Sequence, residues 1–127
     1  MADSGKKNIL IVDDDDIQLM IAEAILTNEY NILTARSGKE AIEYFIRKQI
    51  PDLVLLDILM PDMDGWETYH RLKAVIKLVD VPIAFLTSVT ETSEKLRAKE
   101  MGAIDYITKP YDKQTLMDRV KNIMDKL

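Results

Sequence analysis

The chain of 127 residues contains no cysteine and a single histidine, His70. The first absence excludes disulfide frameworks, cysteine-ligated zinc, iron–sulfur clusters and thiol catalysis. The second excludes serine–histidine triads and multi-histidine metal centres. Positive charge is also scarce. Lys and Arg number 17 against 22 Asp and Glu, a net charge of −5, so the chain is a poor candidate for wrapping phosphate backbones. No apolar run approaches the ~20 residues of a membrane span, and Met1–Lys7 lacks a signal-peptide core. These absences lead to the expectation of a cytoplasmic protein with no membrane contact and no direct nucleic-acid contact. What remains is a foldable composition, 47% hydrophobic and 31% charged, whose chemistry must rest on carboxylates, hydroxyls and lysines. The length fits one domain of about 100–200 residues. We therefore expect a single unit over 1–127, with 1–7 flexible.

Short apolar runs alternate five times with longer amphipathic stretches. The runs are Asn8–Val12, Tyr30–Ala35, Leu53–Leu56, Ile83–Leu86 and Asp105–Thr108. The first, third and fourth contain continuous apolar quartets, as expected for central parallel strands buried on both faces. The second and fifth carry polar residues and read as edge strands. Between them, helical stripes are expected from Ile17, Met20, Ile21, Ala24 and Ile25; from Ala41, Ile42, Phe45 and Ile46; from Trp66, Tyr69, Leu72 and Ile76; and from Leu116, Val120, Ile123 and Leu127. A helix around Ser93–Met101 is the weakest, with Leu96 and Met101 its only large apolar residues. Ser37 to Glu40 has capping-box spacing, Gly102 can end the fourth helix and Asp112 can open the last. Pro51 and Pro82 precede strands, where a missing donor does little harm. This alternation predicts a doubly wound α/β fold with helices on both faces of a parallel sheet.

Ligands of such sheets bind at the carboxyl ends of the strands. The first strand runs into Asp13, Asp14, Asp15 and Asp16; the third ends in Asp57, the fourth in Thr87-Ser88, the fifth in Lys109-Pro110. Carboxylates gathered this way repel unless a cation joins them, and a hard divalent ion such as Mg²⁺ accepts one or two carboxylates while keeping several waters. Asp13, Asp14 and Asp57 supply −3, and one Mg²⁺ with Lys109 supplies +3. A neutral site of this kind can accept a phosphoryl group, with Asp57 as nucleophile and Lys109 and Thr87 stabilising the phosphoryl oxygens.

The motifs Ile9-Leu10-Ile11-Val12-Asp13-Asp14, Leu53 to Pro61 running on to Asp64-Gly65, Phe85-Leu86-Thr87-Ser88, and Gly102-Ala103 leading to Asp105 through Pro110 occur in order and at characteristic intervals. Together they resemble the receiver domain of two-component response regulators, of the kind found in chemotaxis regulators. The resemblance covers Lys7 to about Leu127. It implies a flavodoxin-like (βα)5 fold, a five-stranded sheet in order 2-1-3-4-5, and phosphorylation of Asp57 by a histidine kinase or phosphotransfer protein. It also implies Mg²⁺ held by Asp13, Asp14, Asp57 and the backbone carbonyl of Leu59, a switch pair of Thr87 and Tyr106, and a cis Lys109-Pro110 peptide. The protein would be a signalling switch rather than a turnover enzyme. Its fourth helix, fifth strand and fifth helix would control an output partner or domain. Asp105 and Arg119 resemble charges that some DNA-binding regulators use to pair their receivers, which points to a homodimer through that face. Positions two beyond Asp57 and Thr87, which tune phosphoryl lifetime in this family, hold Leu59 and Val89. Neither can orient a water, so slow self-dephosphorylation is expected.

Each of these residues also admits a plainer reading. Asp15 and Asp16 are read as loop charges, one of them capping the first helix. Thr87 alone could be a strand-end hydroxyl, and Tyr106 an edge-strand aromatic. His70 reads as a surface residue and Trp66 as packing. Asp62-x-Asp64-Gly65 hints at a calcium loop, but Met60 and Arg71 occupy its first and twelfth positions. A haloacid-dehalogenase-like phosphohydrolase would carry an Asp where Leu59 stands, and a nucleotide or flavin site would not place four aspartates after the first strand.

Overall fold

The computed structural model describes residues 5–75 and 80–127. Ile76, expected to extend the third apolar stripe, and 1–4 of the expected flexible lead lie outside the described residues. Ten elements alternate along the chain: β1 (Asn8–Val12), α1 (Asp16–Leu26), β2 (Asn31–Ala35), α2 (Gly38–Ile46), β3 (Leu53–Leu56), α3 (Gly65–Val75), β4 (Ile83–Thr87), α4 (Thr92–Met101), β5 (Asp105–Thr108) and α5 (Lys113–Asp125). All five strands are parallel, in the order β2-β1-β3-β4-β5, with the two polar runs at the edges as expected.

Strand pleating divides the interior into two cores, because successive side chains face opposite ways. Leu10, Val12, Val54, Leu56 and Phe85 pack toward α2, α3 and α4. Ile9, Ile11, Leu53, Leu55, Ala84 and Leu86 pack toward α1 and α5, meeting Leu19, Leu26, Leu116 and Val120. β1, β3 and β4 are buried throughout apart from the half-buried Asn8, which explains their unbroken apolar quartets.

The structure corrects several helix faces and two strand limits. In α1 the buried residues are Leu19, Ala22 and Leu26, whereas Ile17, Met20 and Ile21 are 66%, 67% and 43% exposed. This helix is apolar around most of its circumference, so two stripes fit its sequence. The Asp15 cap, which accepts from Ile17 N and Gln18 N, begins the helix at a phase that points the other stripe at the sheet. Ile46, Leu96 and Leu127 are likewise exposed; α4 buries only Ala98. Tyr30 stays outside β2 because its N–H donates to Leu26 O at 3.0 Å and still belongs to the end of α1. Thr87 joins β4, paired with Thr108.

The expected caps form. Ser37 Oγ accepts from Glu40 N and Asp112 Oδ1 from Thr115 N, while Gly102 closes α4 in the left-handed region at φ +99°. The Glu40 carboxylate accepts from Arg36 N, one residue earlier than a capping box requires. Asp16 pairs with Arg36 on the surface. Pro51 lies two residues before β3 and Pro82 immediately before β4. The Lys109-Pro110 peptide is cis.

Candidate functional site

The strand order reverses between β1 and β3, and the residues that leave these strands stand side by side. Asp57 N donates to Val12 O at 3.0 Å, and Asp13 N to Ala35 O at 3.0 Å, so the ladders continue one residue past the strands and deliver both carboxylates to one rim. On the far side Lys109 N donates to Thr87 O at 2.8 Å, which brings the lysine in from β5. Asp13 and Asp57 are 4% and 7% exposed, whereas Asp14 faces solvent. One carboxylate oxygen from each of the three lies within 4.8 Å of the others. The Lys109 ammonium binds Asp13 Oδ2 and reaches Asp57 Oδ2 at 3.5 Å. A cleft of about 530 Å³ opens over this group, walled by Leu59, Ser88, Pro110 and Tyr111.

Two buried carboxylates share one ammonium here, and the electrostatics reflect that shortage. Burial pushes the Asp57 carboxyl above its ordinary range; Lys109 opposes this, Asp13 adds to it, and Thr87 and the Ile58 N–H oppose it. Asp57 Oδ1 accepts from Ile58 N at 2.8 Å, which leaves Oδ2 facing Lys109 and the cleft. Asp13 Oδ1 accepts from Asp15 N at 3.0 Å. The donor set consists of three hard oxygens with an open side for waters, which suits Mg²⁺ better than a softer metal.

The main chain of Val89 connects Thr87 and Tyr106. Val89 N donates to the fully buried Thr87 Oγ1 at 3.3 Å, and the Tyr106 hydroxyl donates to Val89 O at 2.6 Å. Burial, with Glu94, Glu91 and Asp57 nearby, pushes the Tyr106 phenol up to about 12. The Tyr106 ring lies 6.0 Å from that of Phe85, and Phe85 lies 4.9 Å from the buried Trp66. The Arg97 guanidinium of α4 sits 4.2 Å above Trp66. Asp105 and Arg119 meet within the chain, Nε to Oδ2 at 2.8 Å. His70 is exposed and lies beyond the cleft residues.

Two residues of this neighbourhood escaped a role in the sequence reading. Gly65 stood there only as part of a motif, yet a Cβ on it would meet Asp57 O at 2.3 Å and Ile58 Cα at 2.6 Å. The start of α3 can therefore approach the main chain of Asp57 only without a side chain. Tyr111 was not singled out at all. Its hydroxyl is buried without a hydrogen-bond partner among the described residues, a state that costs about 1–3 kcal/mol. Its place two residues beyond Lys109 was the only signal available.

Comparison with known proteins agrees with this geometry. Residues 9–121 match the family model described as the response regulator receiver domain. The phosphate regulon transcriptional regulatory protein PhoB of Pseudomonas aeruginosa is 40% identical over 119 residues, covering 93% of this chain and 52% of that protein. The chain spans about half the length of most of the curated relatives it matches. Among solved structures, a response regulator from Chloroflexus aurantiacus superposes with a TM-score of 0.84 at 37% identity, covering 94% of this chain and 98% of that one. CheY from a CheX-CheY-BeF3-Mg complex of Borrelia burgdorferi superposes with a TM-score of 0.85 at 30% identity, covering 93% and 89%.

Proposed function

Since the chain belongs to the response regulator receiver domain family of two-component systems, we propose that it is a cytoplasmic switch that takes a phosphoryl group onto Asp57 from a histidine kinase or phosphotransfer protein. The observation that carries this reading is the placement of Asp57. It is a nearly buried carboxylate at a strand end, within reach of Lys109 and beside two further carboxylates. Such a group is costly to keep unless it has partners that stabilise its charge.

Asp57 Oδ2 is the attacking atom, since Oδ1 is held by Ile58 N. It forms the new oxygen–phosphorus bond as the donor's bond to phosphorus breaks. Asp13, Asp14, Asp57 and the Leu59 carbonyl would hold Mg²⁺, which when bound neutralises charge on the phosphoryl oxygens. Lys109 stands where it can turn from the carboxylates to those oxygens, and Thr87 can donate to them from β4. A Thr87 hydroxyl drawn toward the phosphoryl group would release Val89 N, and Val89 O is where Tyr106 is anchored. The charge event thereby reaches α4, β5 and α5, the surface proposed to engage an output partner or domain, or a second copy of the chain. For a homodimer through that face, Asp105 and Arg119 would have to exchange their present internal pairing for one across the interface.

Incubation with Mg²⁺ and acetyl phosphate, followed by intact mass measurement, tests the reading. One phosphoryl addition is expected, dependent on Mg²⁺, labile to base and absent from Asp57→Asn. Addition that persists in Asp57→Asn, or no addition at all, would overturn it.

A further inference from the structure

Tyr111 shares the wall of the cleft with Asp13, Asp57 and Lys109. Its ring packs on the core between the sheet, α1 and α5, so the hydroxyl cannot swing to solvent without giving up that packing. It is the one buried side-chain polar atom without a partner among the described residues. A phenol is a neutral hydrogen-bond donor at ordinary pH, and this one shares the cleft wall with the Asp13 carboxylate. Asp13 meanwhile has both oxygens engaged, Oδ1 by Asp15 N and Oδ2 by Lys109. Lys109 is thus shared between Asp13 and Asp57. Anything anionic placed on Asp57 Oδ2 competes for that ammonium.

We propose that Tyr111 is a positioning residue of the loaded site: when a phosphoryl group on Asp57 draws Lys109 away, the Tyr111 hydroxyl donates to Asp13, directly or through one water, and holds that carboxylate in place. The inference rests on the phosphoacceptor reading above and adds a residue to it. The unpartnered hydroxyl of the resting site is then a donor that takes the place of the departed ammonium on Asp13, and the loaded state is favoured by the bond that the resting state lacks.

Thermal unfolding of the full chain and of Tyr111→Phe, in EDTA and in Mg²⁺ with beryllium fluoride as a phosphoryl mimic, tests this. In EDTA the variant should unfold at the same temperature as the wild type or higher, since only an unpartnered hydroxyl has been removed. Loading should raise the wild-type midpoint more, and a beryllium fluoride titration should show ~three- to tenfold weaker binding by the variant. Equal responses to loading, or a variant already destabilised in EDTA by the full margin, would overturn the positioning role alone. No response from the wild type would overturn the phosphoacceptor reading, and this inference with it.

Discussion

Asp57 is charged in a place that disfavours charge, and its folded-state carboxyl titrates above the ordinary value, chiefly because of burial. On lowering pH the folded chain takes up this proton before the unfolded chain does. The resulting destabilisation is fully present above the folded value and absent below about pH 4, the ordinary Asp value. Asp57→Asn should therefore stabilise the metal-free protein at neutral pH, by roughly 1–3 kcal/mol for relieving a buried, poorly partnered group. The gain should disappear below about pH 4 and shrink when Mg²⁺ stabilises the wild type; melting curves in EDTA and in Mg²⁺ across pH check both. At Gly65 the constraint is steric. Gly65→Ala forces a Cβ into the main chain of Asp57, and should lower stability by more than ~3 kcal/mol while reducing phosphorylation by acetyl phosphate. Leu59, 59% exposed at the cleft wall, and Val89 offer no group to orient water. A Leu59→Asn, Val89→Glu variant should lose its phosphoryl group faster than the wild type, about tenfold for ~1.4 kcal/mol of barrier. Decay of the phosphorylated mass decides it, and slower decay in the variant would refute the expectation.

Among the elements, α4 is held least firmly: it buries one residue, Ala98, and its N-cap Glu91 makes no side-chain cap bond. The Arg97 guanidinium over Trp66 ties it to α3, as does the Tyr69 hydroxyl donating to Met101 O. Arg97→Ala should cost only ~0.5–1 kcal/mol, yet speed hydrogen exchange within α4 selectively. The Asp105–Arg119 pair joins β5 to α5. Burial would raise the Asp105 carboxyl, but hydrogen bonds from Arg119 and Tyr106 N outweigh it and hold it below its usual range. A depressed carboxyl stabilises the fold above the ordinary Asp value, and that contribution is lost as pH falls through the folded value. Element order, edge strands and four helix caps were legible in the sequence because each follows from local composition and period. So were the carboxylates of the site, since residues leaving parallel strands must share a rim. The buried face of α1 was not legible, since a helix apolar nearly all round leaves its phase to the cap and the sheet. The Tyr111 hydroxyl was not either, because lacking a partner is a property of the folded surroundings rather than of a motif.

At the scale of the molecule, the two cores divide the surface as well as the interior. The face of α1 turned from the sheet exposes Ile17, Met20 and Ile21, and Ile21 borders the cleft together with Leu59. On the proposed function, the carrier of a phosphorylated histidine would lie against this apolar rim to reach Asp57. Met20→Asp should therefore slow phosphotransfer from a phosphohistidine protein by ~tenfold or more, while acetyl phosphate, which needs no docking surface, reacts as before. Equal rates with the protein donor would remove this face from the transfer complex. The curated relatives extend well beyond the length of this chain, and on the proposed function an output partner or domain would be addressed through the opposite face, where the Tyr106 hydroxyl donates to Val89 O. That single residue stands between two tasks. Its amide and carbonyl engage Thr87 and Tyr106, whereas its side chain occupies the position, two beyond Thr87, that the family resemblance ties to phosphoryl lifetime. Main chain and side chain vary independently, because every amino acid except proline offers the same amide and carbonyl. On the proposed function, a substitution at position 89 would therefore lengthen or shorten the memory of a signal without rewriting its message.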